Sequence, residues 1–205
     1  MDQSTVAPRR GLGYVAAVLA ACLYWTLAFN QRLFAAALQG RAVDEPAAWA
    51  LGLAIAALLV GVHLALLALV AGQRSLKPLL IALTTVGALV AHYVQAFHVV
   101  IDPSMLRNAL RTDWAEAREL LSPRLALDML LYAALPVALL LALRIDDTRS
   151  GGWRLVKQRL ALLALAIGLI AAALAWQFSA LAPLVRQQRE LRYLATPINA
   201  LWAAT

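Results

Sequence analysis

Apolar positions in this chain gather into five long runs, separated by short polar stretches. The first extends from Gly11 to Phe29, nineteen residues without a charge. The second covers Ala47 to Gly72, with His63 as its only ionisable group. The third follows Pro78 and continues to Ile101, the fourth covers Leu125 to Leu143 and contains Asp128, and the fifth covers Leu160 to Pro183. A helix crosses the hydrocarbon core of a bilayer with about 20 residues, so each run is long enough. The runs are continuous and do not alternate, which excludes barrel strands. The pattern predicts an all-α polytopic membrane protein with five transmembrane helices, at 11–29, 47–72, 78–101, 125–143 and 160–183. Residues 184–205 follow the last span.

Between the third and fourth runs the pattern changes. Asp102 and Pro103 suit the cap and first turn of a new helix. Met105, Leu106, Ala109, Leu110, Trp114, Ala117, Leu120 and Leu121 then recur at three- and four-residue steps. That periodicity predicts an amphipathic helix over 103–121, too polar to span and suited to the membrane interface. Its polar side carries Asn108, Thr112 and Glu116 at i, i+4 and i+8, flanked by Arg107 and Arg111. An amide, a hydroxyl and a carboxylate in one row can serve a zwitterionic headgroup. Glu116 can hold an ammonium, Asn108 or Thr112 can donate to a phosphate oxygen, and the arginines can neutralise that phosphate. The same residues also describe a solvated helix face with i,i+4 pairs.

Composition agrees with the pattern. Hydrophobic residues make up 63% of the 205, and mean hydropathy is +0.74. Charged residues make up 14%, against about 25% in a soluble domain. So apolar a chain cannot cover itself with polar surface, which excludes a soluble enzyme and a disordered regulator. One cysteine, Cys22, excludes an internal disulfide framework. Net charge is +7. With the N-terminus cytoplasmic, the Lys and Arg residues divide nine to each side of the membrane, so basic residues are split across both faces and give no support for nucleic-acid binding. The count leaves orientation open. Both lysines and the dense run from Arg144 to Arg159 favour a cytoplasmic N-terminus and an outward C-terminus. The basic loop around Gly151 and Gly152, with Trp153, Arg154, Lys157 and Arg159, fits contact with anionic lipid. Leu19-Ala20-Ala21-Cys22 has the form of a lipoprotein cleavage box, but the apolar run continues past it, and a retained helix is expected.

Several polar groups lie within the spans. Asp128 stands one turn into the fourth, four residues after Arg124, and a local pair between them is expected. His92, Gln95 and His98 fall near the outer end of the third and can line a polar cavity over the headgroup region. The two histidines lie on different helix sides, which disfavours a metal site. His63 is expected to be a neutral, hydrogen-bonded bundle residue, and Cys22 a small packing residue.

The residues from Asp102 to Ala117, with Leu76-Lys77-Pro78-Leu79 before them, resemble the membrane domain of the lipid A phosphoethanolamine transferases, the family that includes the mobile colistin-resistance enzymes. Met105-Leu106, Asn108-Ala109-Leu110, Thr112-Asp113 and Ala115-Glu116 form its most specific motif. Asn30 and Phe34 fit the family too, as do Arg186, Arg189 to Leu194, Pro197 and Asn199. The resemblance covers nearly the whole chain. It implies a bacterial inner-membrane location, five spans and a periplasm-facing interfacial helix and C-terminus. It also implies a zinc-dependent periplasmic domain that moves phosphoethanolamine from phosphatidylethanolamine, through a threonine, to lipid A, which weakens polymyxin binding. Asn108, Thr112 and Glu116 match the positions that the family uses to bind the donor lipid.

The nucleophile and zinc ligands of that family belong to its catalytic domain. The 22 residues after the fifth run carry no His, Asp and Glu cluster able to hold a metal. The chain is therefore expected to supply no catalytic residue and no cofactor site itself, and to be inactive alone. The alternative is a stand-alone lipid-binding or partner-binding membrane protein. Leu184 and Val185 replace an aromatic pair usual in the family.

Overall fold

A computed structural model describes residues 12–42, 44–97, 118, 121–143, 145, 152–187 and 196. It is a bundle of membrane-length helices. Helix α1 is Tyr14–Phe29, α2 is Gln31–Ala37, α3 is Pro46–Val70 and α4 is Gln73–Phe97. Pro123–Met129 (α5), a π turn at Leu130–Ala134 and Leu135–Ala142 (α6) form one continuous span. Helix α7 is Gly152–Gln187. Among the described residues four spans are long and apolar enough to cross a membrane, and five if α1 and α2 count as one. The predicted interfacial helix at 103–121 lies outside the described residues, apart from Arg118 and Leu121.

Four elements differ from the sequence expectation, the third span among them, whose helix begins at Gln73 and contains Pro78 instead of following it. The first span is broken: α1 and α2 meet at Asn30 with a 60° bend. The fourth span contains a π turn. A proline explains it, because Pro136 has no amide to offer the Tyr132 carbonyl four residues before it. The fifth span is longer than its apolar run. It begins at Gly152, so Trp153, Arg154, Lys157 and Arg159 stand on its first turns and not in a loop. Lys157 lies 5.8 Å from the Trp153 ring centre. Gln177 (φ −122°, ψ 26°) interrupts this helix with a kink.

Packing follows the logic of a bilayer, where large apolar side chains gain nothing by leaving the lipid. The seams are rich in small residues, including Ala17, Ala54, Ala68, Ala88, Ala91, Ala166 and Ala173. Leu127, Leu131, Leu135, Ile167 and Phe178 face outward. Helices α3 and α7 run antiparallel and make the most extensive seam. At Gly61 a Cβ would come within 2.7 Å of Ile170 Cγ1 and 3.1 Å of the Ala166 carbonyl oxygen, so only glycine permits this approach.

The face where α1 begins, here the near face, is tied by hydrogen bonds to helix ends. The Ala71 carbonyl, at the end of α3, accepts from the Tyr14 hydroxyl at 3.0 Å and from the Arg159 guanidinium. Lys77 Nζ donates to the carbonyls of Leu141 and Leu143, both at 3.1 Å, where the fourth span ends. Free carbonyls at a helix C-terminus favour such cations. Leu12 pairs with Ile145 through a backbone bridge.

Candidate functional site

The break after α1 lies deep in the bundle. Sixteen helical residues give α1 a length of about 24 Å, short of the ~30 Å hydrocarbon core. The Phe29 ring packs on Gly87 of α4, where a Cβ would come within 2.6 Å of Phe29 Cε2. Helix α4 continues ten residues past Gly87, about 15 Å of rise. Helix α3 gives the same distance: it starts about 15 Å beyond the level at which α1 ends. The chain therefore stops being helical at Asn30 well inside the far half of the membrane domain. Irregular backbone at that depth has to be satisfied by protein.

Asn30 provides that satisfaction. It is fully buried, and its Nδ2 donates to the Trp25 carbonyl at 2.8 Å and to the Thr196 carbonyl at 2.9 Å. Its Oδ1 accepts from the Thr196 backbone amide at 2.9 Å. One side chain thus holds both backbone groups of Thr196, itself buried, across 166 positions of sequence. Thr196, which follows the last span, is clamped to the break in the first.

Further polar links join the clamp to the spans around it. Trp25 Nε1 donates to Thr84 Oγ1 of α4 at 3.0 Å. Thr26 Oγ1 lies 3.4 Å from His63 Nδ1 of α3, and the Trp25 ring meets the His63 ring edge-on at 5.7 Å between centres. The Thr196 backbone also interacts with His63. Trp25, Thr26, Asn30, His63, Thr84 and Thr196 are all buried. Three spans and Thr196 therefore share one polar network, in which His63 Nδ1 has Thr26 as a partner and its buried Nε2 has no hydrogen-bond partner among the described residues.

Nearer the far face, Asp128 makes the expected i,i+4 ion pair with Arg124 and a shorter contact besides. Its close partner is His92 of α4, with Nδ1 and Oδ2 2.7 Å apart. Arg124, the expected partner, is 4.0 Å away and 71% exposed. The His92 ring is buried, so the short contact lies on the protein side of Asp128 and the arginine on the open side. His92 is therefore an interhelical tie. Gln95 is half-buried, and His98 lies outside the described residues. Among the described residues no three His, Cys, Asp or Glu side chains come together to hold a metal.

Asn108, Thr112, Glu116, Arg107 and Arg111, the residues read from the sequence as a headgroup site, lie outside the described residues. The Asn30 clamp and the Trp25–Thr84 link were not found from sequence. The one local signal for the clamp was a polar residue closing an apolar run. The Leu23–Phe29 stretch carries no proline or glycine to announce a break.

Comparison with known proteins identifies the architecture. The family profile described as phosphoethanolamine transferase EptA/EptB matches residues 59–205. The chain is 27% identical over 204 residues to phosphatidylethanolamine transferase Mcr-1 of Escherichia coli, covering 99% of this chain and 37% of that protein. It is 25% identical over 197 residues to Mcr-2 of the same organism, covering 94% and 34%. Its fold superposes with a TM-score of 0.86 on an integral membrane protein, lipooligosaccharide phosphoethanolamine transferase A of Neisseria meningitidis, at 22% identity, covering 95% of this chain and 36% of that one. This chain spans about a third of the length of these relatives. It belongs to the phosphoethanolamine transferase EptA/EptB family, as an N-terminal membrane domain.

Proposed function

We propose that the chain is the membrane half of an inner-membrane enzyme that moves phosphoethanolamine from phosphatidylethanolamine to lipid A, and thereby contributes to polymyxin resistance. In this reading it anchors a periplasmic catalytic domain and presents the donor lipid to it. The observation that carries the reading is the family match, which includes the Met105–Glu116 motif. Mcr-1 and Mcr-2, which match nearly the whole chain, are phosphatidylethanolamine transferases.

Glu116 would hold the ethanolamine ammonium of the donor. Asn108 and Thr112 would donate to the phosphodiester oxygens, and Arg107 and Arg111 would balance their charge. The gain is positional: a lipid held at a fixed depth and orientation meets the catalytic domain without a diffusive search. The Asn30–Thr196 clamp supports the same reading, because it ties Thr196, which follows the last span, to the bundle. Zinc, expected in the catalytic domain, would stabilise charge on the transferred phosphate. The N-terminus would be cytoplasmic and the interfacial helix and C-terminus periplasmic.

The test is Glu116→Gln in a full-length enzyme carrying this membrane segment. Lipid A modification, read by mass spectrometry, should fall at least tenfold at unchanged protein abundance. Undiminished modification would overturn the role given to Glu116.

A further inference from the structure

The early end of α1 has a second consequence, on the lipid side of the bundle. Helix α2 leaves at 60° and packs Leu33 and Ala37 with Leu51, Ala54 and Ile55 in the far half of α3. A groove of about 350 Å³ opens there, lined by Leu27, Leu38, Trp49 and Leu53, with Gly52 in its wall and Arg41 among its lining residues. Its α3 wall extends from Ala48 to Ala56, about 12 Å of helix, which matches the upper part of an extended acyl chain. Arg41 follows the turn at Gly40 and precedes Pro46, so it stands toward the far-face end of the groove.

The lining, among the described residues, is apolar except for that one guanidinium. Among the described residues the ion pairs involve His92, Arg124 and Asp128, and Arg41 makes none. No carboxylate among the described residues lines the groove to receive an ammonium. An apolar slot in a lipid-facing wall, topped by a lone cation, complements a lipid with net negative charge.

We propose that this groove retains one anionic glycerophospholipid, with an acyl chain against Gly52 and Leu53 and its phosphate on Arg41. The site is separate from the donor reading and needs neither Glu116 nor a catalytic domain.

Native mass spectrometry of the chain, extracted into detergent and offered phosphatidylglycerol or phosphatidylethanolamine, tests it. The unaltered chain should retain one phosphatidylglycerol in preference to phosphatidylethanolamine. Arg41→Gln should cut that retention at least fivefold, and Arg41→Lys should restore most of it. Gly52→Leu should also cut it, because a Cβ at Gly52 meets only Leu38 Cδ1, at 3.8 Å, and a larger side chain would grow into the groove. Gly168→Leu adds the same side chain where nothing lies within 4 Å, and should leave retention unchanged. Equal retention of the two lipids, no loss in Arg41→Gln, or equal loss in Gly168→Leu would overturn the proposal.

Discussion

Asn30 shows how one side chain substitutes for secondary structure inside a membrane domain. Where α1 ends, backbone groups at bilayer depth lose their helical partners, and an unpaired group there costs several kcal/mol. The Asn30 amide offers two donors and an acceptor, and all are used on Trp25 and Thr196. Asn30→Ala removes them and leaves the Thr196 amide and carbonyl buried without those bonds. A loss of about 1–3 kcal/mol is expected, measurable as a lower unfolding midpoint in detergent. Asn30→Asp keeps the acceptor but loses both donors, and should be nearly as damaging. Little of this was legible in the sequence, because the partner lies 166 positions away and hydrogen bonding leaves no periodic trace. Asp128 carries a related lesson. The i,i+4 spacing to Arg124 was visible, while His92 is 36 positions distant and takes the buried, shorter contact.

The fourth span shows how polar links act where packing is thin. Only 11% of its most apolar stretch is buried. It is nevertheless tied at three depths. Asp128 meets His92 toward the far face, the Tyr132 carbonyl accepts from the Tyr24 hydroxyl at 2.7 Å in the middle, and the Leu141 and Leu143 carbonyls accept from Lys77 at the near face. The middle tie depends on Pro136, which leaves the Tyr132 carbonyl without its usual amide donor. Interhelical hydrogen bonds in membranes average about 0.6 kcal/mol and reach about 1.7. Tyr24→Phe should therefore cost about 1 kcal/mol, while His92→Phe should cost about 1–3 kcal/mol, because it strands a half-buried carboxylate. Thermal unfolding followed by tryptophan fluorescence checks both. Equal, negligible effects would mean that packing alone holds this span. The run of apolar residues announced the span in the sequence, and Pro136 was visible there as well. The π turn was not read, because its replacement donor comes from another helix.

At the scale of the whole molecule, the hydropathy pattern was the most informative part of the sequence. It predicted a polytopic all-α membrane protein, and the structure is one. It could not place the break in the first span, since Leu23–Phe29 and Gln31–Ala37 each look helical and only their 60° relation differs. Nor could it orient the chain, because the basic residues divide evenly between the two sides. Site-directed labelling resolves orientation. In a Cys22→Ser background, a cysteine at Gly151 should be reached by an impermeant maleimide only after the membrane is opened. One at Leu121 should be reached from the periplasm. The reverse pattern would place residues 103–121 on the wrong side for a periplasmic reaction.

In the proposed function, this membrane domain presents a phosphatidylethanolamine donor to a transferase domain. The most direct measurement replaces the membrane segment of Mcr-1 with this chain and follows lipid A by mass spectrometry. The chimera should add phosphoethanolamine to lipid A, and the same chimera carrying Glu116→Gln should add at least tenfold less. A chimera that inserts at normal abundance and leaves lipid A unmodified would contradict the claim.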